Sequence, residues 1–452
     1  MSQFRLARIS LMLAAIGLSA TPALMNSAFA QKAPAPAAGA PAAAGTPAAV
    51  PADTVRPELF KLLDPAAVKQ LMTDKNYGEL QNRITQAEAF PNKTPYETYV
   101  LDRMKIALAS ATGNEALLTT SLEGAVNSGK LAPAEQAEFT LALGNSYYNA
   151  KNYPKAIETF KRYQKDSPTP EKANNSLIRS YYLSNDFATA KTMLVPVVAD
   201  FEKAGKTPPL EELRLLASAA SKAKDNVVYV NALEKLVAFY PTDDYWTDLL
   251  HRVAGKPGFN QAHDIDILRL EFVAQKQLAP EEYTELAELA LTAGFPTEAK
   301  KALDAGYAAG VLGTGANAAK HKQLRDRATK GAADDAKNIG SGEASAAKAK
   351  DGAGLVNLGY AYVTMDQADK GIPLMEQGIA KGIAKRPDDY KLRLGIAYAK
   401  AGRKAEALKT FDSIKTDDGG KDLARYWSLW VNRAPAGAAP AAAAATAATP
   451  AK

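Results

Sequence analysis

The 452-residue chain contains no cysteine. That excludes disulfide staples, thiol catalysis, cysteine-ligated metals and a lipid anchor on cysteine, so packing alone must hold the fold. Histidine is nearly as scarce, with only His251, His263 and His321. None has a second histidine at helical spacing, so no helix-borne zinc motif is present. Sustained period-2 alternation is missing, and no Asn-Gly or Asp-Gly turn joins two β-branched runs, so strands are not expected. Past the first thirty residues no apolar run is long enough to cross a bilayer core of ~30 Å. Charge is balanced. The formal net charge is +6, and setting aside Arg5 and Arg8 leaves 53 Lys+Arg against 49 Asp+Glu. No Lys/Arg block marks a nucleic-acid footprint.

What is present begins with a leader. A short basic stretch over Met1–Arg8 precedes apolar Ile9–Ala20 and the small-x-small ending Ala28-Phe29-Ala30. This is the layout of a cleavable secretory signal peptide over 1–30, and it predicts export to the periplasm of a Gram-negative bacterium. Residues 31–56 and 434–452 are built almost entirely of Ala, Pro and Gly. Such segments bury too little surface to offset ordering entropy, and both are expected to be disordered.

Between the tails the composition turns to helix formers. Pro91, Pro133, Pro168, Pro241, Pro280 and Pro387 punctuate apolar-periodic runs where a helix stops or starts. In the stretch LGNSYYNAKNYPKAIETFKRYQKDSP, Leu143 to Pro168, residue types recur one unit later. Tyr147 is followed by Tyr181, Tyr153 by Phe187, Ala156 by Ala190 and Phe160 by Leu194, each 34 positions on. A 34-residue period is that of paired antiparallel helices stacked in series.

Leu143-Gly144, Tyr147, Tyr153, Ala156, Phe160 and Pro168 fall on the signature positions of the tetratricopeptide repeat, which this stretch closely resembles; Thr140 stands at the tryptophan position. The residue types have a physical basis. Small Gly144 and Ala156 are expected where the two helices cross, with Tyr147 and Phe160 beside the crossing and Tyr153 at the turn. Weaker copies extend both ways: Tyr77, Leu80, Ile84 and Ala87; Gly113, Leu118, Leu122 and Ala125; Tyr245-Trp246 with Leu249-Leu250; and Leu286-Ala287 through Gly306. Further on lie Leu358-Gly359, Tyr362, Gly371, Met375 and Gly378, then Leu394-Gly395, Tyr398, Gly402, Ala407 and Phe411. The fold class expected is all-α, an α-solenoid. It comprises an N-terminal block over 57–309, a polar helical excursion over 310–354, and a C-terminal block over 355–433. Leu423–Val431, with Trp427 and Trp430, is expected to cap the exposed end of the stack. The body resembles exported tetratricopeptide-repeat proteins of Gram-negative bacteria.

Catalytic chemistry is not legible. His263 beside Asp264 and Asp266 reads as an ordinary surface helix start, because Asp264 adjoins His263 and the two aspartates stand two apart, spacings at which helical side chains do not face each other. Gly310, Gly313 and Gly315 follow a helical run, lack a Gly-Lys-Ser/Thr ending, and read as a helix C-cap and turn rather than a phosphate cradle. The pairs Glu281-Glu282, Asp334-Asp335 and Asp388-Asp389 suit helix starts or charged faces. No enzyme activity, cofactor or metal is expected. The resemblance instead implies a scaffold that binds envelope proteins, or an extended peptide segment, along a concave face lined by the first helix of each unit. The residues it points to are Asn145, Tyr148 and Asn149 in one unit and Arg179 and Tyr182 in the next. Asn clamps a peptide backbone, Arg grips a carboxylate and Tyr gives rigid contact area. A competing reading is a binder of peptidoglycan or another cell-wall glycan, with Tyr148, Tyr182 and Tyr360 stacking on sugar rings.

Overall fold

A computed structural model describes residues 53–433. The expected signal peptide, residues 31–52 of the expected linker and the tail from 434 lie outside the described residues. Within them the structure is helical throughout and contains no strand, as the absence of alternation predicts. The chain forms two compact units whose boundary, between Met193 and Leu194, falls inside one helix.

The first unit contains α1 (Pro57–Leu63), α2 (Pro65–Thr73), α3 (Tyr77–Glu88), α4 (Pro95–Thr112), α5 (Glu115–Asn127), α6 (Pro133–Asn149), α7 (Tyr153–Asp166) and α8 (Asn174–Leu183), and the start of α9 (Phe187–Lys203). Helix α4 opens with a capping box. Thr94 Oγ1 accepts from the Glu97 N–H at 3.1 Å, and Glu97 Oε2 accepts from the Thr94 N–H at 2.8 Å. The fully buried Glu97 carboxylate also takes both arms of Arg56, each at 2.8 Å. Burial alone would raise the Glu97 carboxyl, but the Arg56 and Thr94 donors outweigh it and bring it down to about 2.

The helix-pair crossings follow the expected logic with one refinement. Ala156 and Ala190 are fully buried. The group that fills the space left by Gly144 is the Phe160 ring itself, since a Cβ on Gly144 would lie 2.5 Å from it. Gly395 stands in the same relation to Phe411 in the second unit.

The second unit continues with α10 (Leu210–Lys222), α11 (Asn226–Phe239), α12 (Asp243–Ala254), α13 (Asp264–Ala274), α14 (Pro280–Thr292), α15 (Pro296–Ala308), α16 (Ala318–Asn338), α17 (Glu343–Lys348), α18 (Ala353–Thr364), α19 (Ala368–Lys381), α20 (Pro387–Lys400), α21 (Lys404–Asp412) and α22 (Gly420–Asn432). Helices α18 and α19 approach most closely. Gly359 faces the backbone of Gly371, and Gly352 that of Gly378, so no side chain fits between them. The polar excursion is a third helix laid on α15. Ala328 of α16 is fully buried, a Cβ on Gly331 would stand 2.8 Å from Pro296, and Arg325 pairs with Asp304 at 2.6 Å. Gly310, Gly313 and Gly315 all hold positive φ, and the Val311 N–H returns to the Gly306 carbonyl, as a helix C-cap and turn require.

A shared turn recurs within the hairpins. A residue in the left-handed region ends the first helix, and the next N–H bonds back five residues. Examples are Asn76→Leu71, Asn152→Tyr147, Asp186→Tyr181, Asp225→Ala220, Gln367→Tyr362 and Arg403→Tyr398. At Asn76, Asn114, Asn152, Asp186 and Asp225 the side chain then accepts from the N–H three residues on and caps the second helix.

The last helix does more than cap the stack. Helix α22 does bury Trp427 completely, but it does not merely cover an open end. It packs on α20 and α21 and also on α11 and α13 earlier in the same unit. Arg425 pairs with Glu234 at 2.7 Å, Asp422 with Lys256 at 2.5 Å, and the Asn260 N–H donates to the Asp418 carbonyl at 2.9 Å.

Candidate functional site

In the first unit Asn145 on α6 and Ser176 on α8 are hydrogen-bonded at 3.2 Å. That bond places the first helices of two successive hairpins side by side. Asn145, Tyr148, Arg179 and Tyr182 are half-buried and Asn149 is exposed. Tyr148 meets Tyr153 edge-on with ring centroids 6.0 Å apart, and Tyr182 meets Phe187 likewise at 5.3 Å. Arg179 Nε donates to Asn175 Oδ1 at 2.6 Å. Leu183, next to Tyr182, is 42 % exposed, one of few large apolar side chains so placed among the described residues. The rings are thus held in fixed orientations at a partly open surface, which lowers the entropy cost of contact. Tyr360, by contrast, is fully buried, so it offers no face to a sugar ring.

The second unit contains a partly open cavity of about 530 Å³ whose walls include Arg269, Leu286, Glu298, Lys301, Lys400 and Trp430. Beneath it lies an ion network that the sequence reading missed. Arg269 donates to Glu298 Oε2 at 2.7 Å and to Asp266 Oδ1 at 2.9 Å, and its guanidinium lies 4.8 Å from the centre of the Tyr360 ring. Glu298 also accepts from the Tyr360 hydroxyl at 2.9 Å and from Lys400 Nζ at 3.1 Å. Burial acts to raise the Glu298 carboxyl, but Arg269 and Lys400 overcome it and hold the group well below the usual carboxylate range.

His263 extends this network, and here the sequence expectation is corrected. It does stand at a helix start, but it is 1 % exposed rather than on the surface. Its Nδ1 lies 3.3 Å from Asp266 Oδ2, three residues on and one helical turn away. Its Nε2 lies 3.4 Å from Asp418 and 3.8 Å from Asp389. Burial works to lower the imidazole, yet Asp266, Asp389 and Asp418 together raise it above its ordinary value. Arg386 forms ion pairs with Asp389 at 2.9 Å and Asp418 at 3.7 Å, and its Nη2 lies 3.4 Å from His263 Nε2, so a cation already occupies this cluster.

A second cluster lies on α12, α13 and α14. Ligand atoms of His251, Glu271 and Glu282 all lie within 4.8 Å of one another. Glu271 is 2 % exposed and its Oε1 has no hydrogen-bond partner. Burial, with Glu282 and Glu285 nearby, pushes its carboxyl up to about 8. No sequence motif announces either cluster, because the groups come from separate helices and from a loop more than 150 residues away.

A family model described as the tetratricopeptide repeat matches residues 120–170 and 356–421. The first segment contains the α6–α7 hairpin and the second covers most of α18 through α21. No curated protein matches the sequence. Solved structures that resemble the chain include the TPR2AB-domain:pHSP90 complex of yeast Sti1, at 18 % identity over 66 % of this chain and 98 % of that one, with a TM-score of 0.22. Another is Naa15/Naa10 bound to HypK-THB, at 15 % identity over 81 % and 64 %, TM-score 0.22. Yeast Tom70 follows at 10 % identity over 83 % and 95 %, TM-score 0.21. Superpositions that loose carry no argument about this chain.

Proposed function

We propose, from the premise that this chain carries tetratricopeptide repeats over 120–170 and 356–421, that it is a noncatalytic scaffold of the cell envelope which holds an extended segment of a partner protein. The observation that carries the reading is the Asn145–Ser176 bond. It sets α6 and α8 side by side, with Asn145, Tyr148, Asn149, Arg179 and Tyr182 on adjoining first helices. Asn and Arg suit backbone and carboxylate groups of an extended peptide, and the braced tyrosines and Leu183 supply contact area. The leader over 1–30 supports export, and fractionation with N-terminal sequencing should find a mature periplasmic chain beginning at Gln31.

The test is photocrosslinking in the cell from positions 148 and 182, followed by identification of the adduct. A discrete protein adduct, lost when Arg179→Ala and Tyr182→Ala are combined, is the expected result. Adducts that persist in the double variant would overturn the placement of the groove. Retention on protein-free cell wall, abolished by Tyr148→Ala, would replace a protein partner with a glycan.

A further inference from the structure

We propose that His251, Glu271 and Glu282 form a binding site for a divalent transition-metal ion of the zinc class, joining three successive helices of the second unit. Each ligand comes from a different helix: His251 from the last turn of α12, Glu271 from α13, and Glu282 from the first turn of α14. Their ligand atoms already lie within 4.8 Å of one another. Ligands ~2.0–2.2 Å from a zinc ion sit roughly 3–4 Å apart, so small rotamer changes close the site.

The decisive feature is Glu271. Its side chain is buried, its Oε1 makes no hydrogen bond, and none of Glu271, Glu282 and Glu285 is in an ion pair among the described residues. A buried carboxyl oxygen without a hydrogen-bond partner is costly whether the group is protonated or charged, and a bound cation would satisfy it. The His263 cluster, equally rich in carboxylates, shows the contrast, because Arg386 fills it. No lysine or arginine does so at Glu271. Glu282 remains competent as a ligand. Its Oε2 is spent on the Ala279 N–H at 2.7 Å, which fixes the carboxylate and leaves Oε1 available. His251 is exposed, so an ion can enter from solvent and keep water in the remaining position. One imidazole and two carboxylates suit zinc or a neighbouring transition ion better than magnesium or calcium, which require more oxygen ligands.

The experiment uses the full mature chain without a histidine tag, stripped by chelator and titrated with Zn²⁺ by calorimetry, with elemental analysis after dialysis. One equivalent should bind and raise the melting temperature. His251→Ala and Glu271→Gln should each abolish that equivalent or weaken it at least roughly 10–100-fold, since losing even an outer-shell partner costs that much. His251 is exposed, so its variant tests the site even if Glu271→Gln perturbs folding; circular dichroism monitors both. A wild-type protein that binds no equivalent overturns the proposal. So do two folded variants that retain wild-type stoichiometry and affinity, which would mark an adventitious ion only.

Discussion

The indole Nε1–H of Trp430 donates to the main-chain oxygen of Val273 at 3.0 Å, across 157 positions of sequence. With the Arg425–Glu234 and Lys256–Asp422 pairs it fastens the last helix of the second unit to α11 and α13 and to the segment between α12 and α13. Trp427, stacked 6.4 Å from Phe411 and edge-on to Trp430 at 5.5 Å, fills the space beneath.

Trp427→Ala therefore removes a fully buried anchor at a junction of four helices. A cost of ~3–5 kcal/mol to the second unit is expected. Denaturant unfolding should show that loss, and limited proteolysis should cut first between α12 and α13 and around α22. Wild-type resistance at both places would contradict the fastening role.

Glycine replacements should rank by what the new methyl meets. Gly78, in α3, has nothing within 4 Å, so Gly78→Ala should gain up to ~0.5–1 kcal/mol. Gly144→Ala meets the Phe160 ring, which can shift, and should lose ~1–3 kcal/mol. Gly359→Ala meets the Gly371 backbone, which cannot, and should lose more. Ala156→Leu belongs with the losses, at ~1–3 kcal/mol or above. Equal effects at positions 78 and 359, measured by chemical denaturation, would refute the packing account.

Acid should weaken both units, through Glu97 in the first and Glu298 in the second, whereas alkali should act through His263 in the second. The Glu97 carboxyl is held at about 2, below its unfolded value, so its contribution is present above ~4.5 and lost as pH falls toward 2. His263 is raised, facing Asp266, Asp389, Asp418 and Arg386. Its contribution is complete below ~6.5 and lost as pH climbs through the higher folded value. Glu97→Gln should flatten the acid limb and His263→Gln the alkaline one. Melting curves whose alkaline limb is the same with and without His263 would remove it from the network.

The helical hairpins were legible because their signal is local. The Tyr147–Phe160 positions and their echo 34 residues on come from packing within one hairpin and against the next, so the sequence repeats whenever the geometry does. Turns such as Lys151-Asn152 and Lys224-Asp225 went unread, although a left-handed residue before an Asn or Asp cap recurs from pair to pair. The network around Arg269 was not legible. Arg269, Tyr360 and Lys400 stand 29, 62 and 102 positions from Glu298, on helices that meet only after the second unit has closed. His263 misled only in part for that reason, since Asp266, three residues on, was within local reach. One helix turn of sequence displays Asp264 and Asp266 but nothing of Asp389, Arg386 or Asp418, which bury it.

Helices α18 and α19 touch main chain to main chain at Gly359–Gly371 and Gly352–Gly378. A joint without slack cannot absorb displacement, so this pair should move as one solid block. Relative motion in this part of the unit is then left to the link ahead of α20, which neither helix braces.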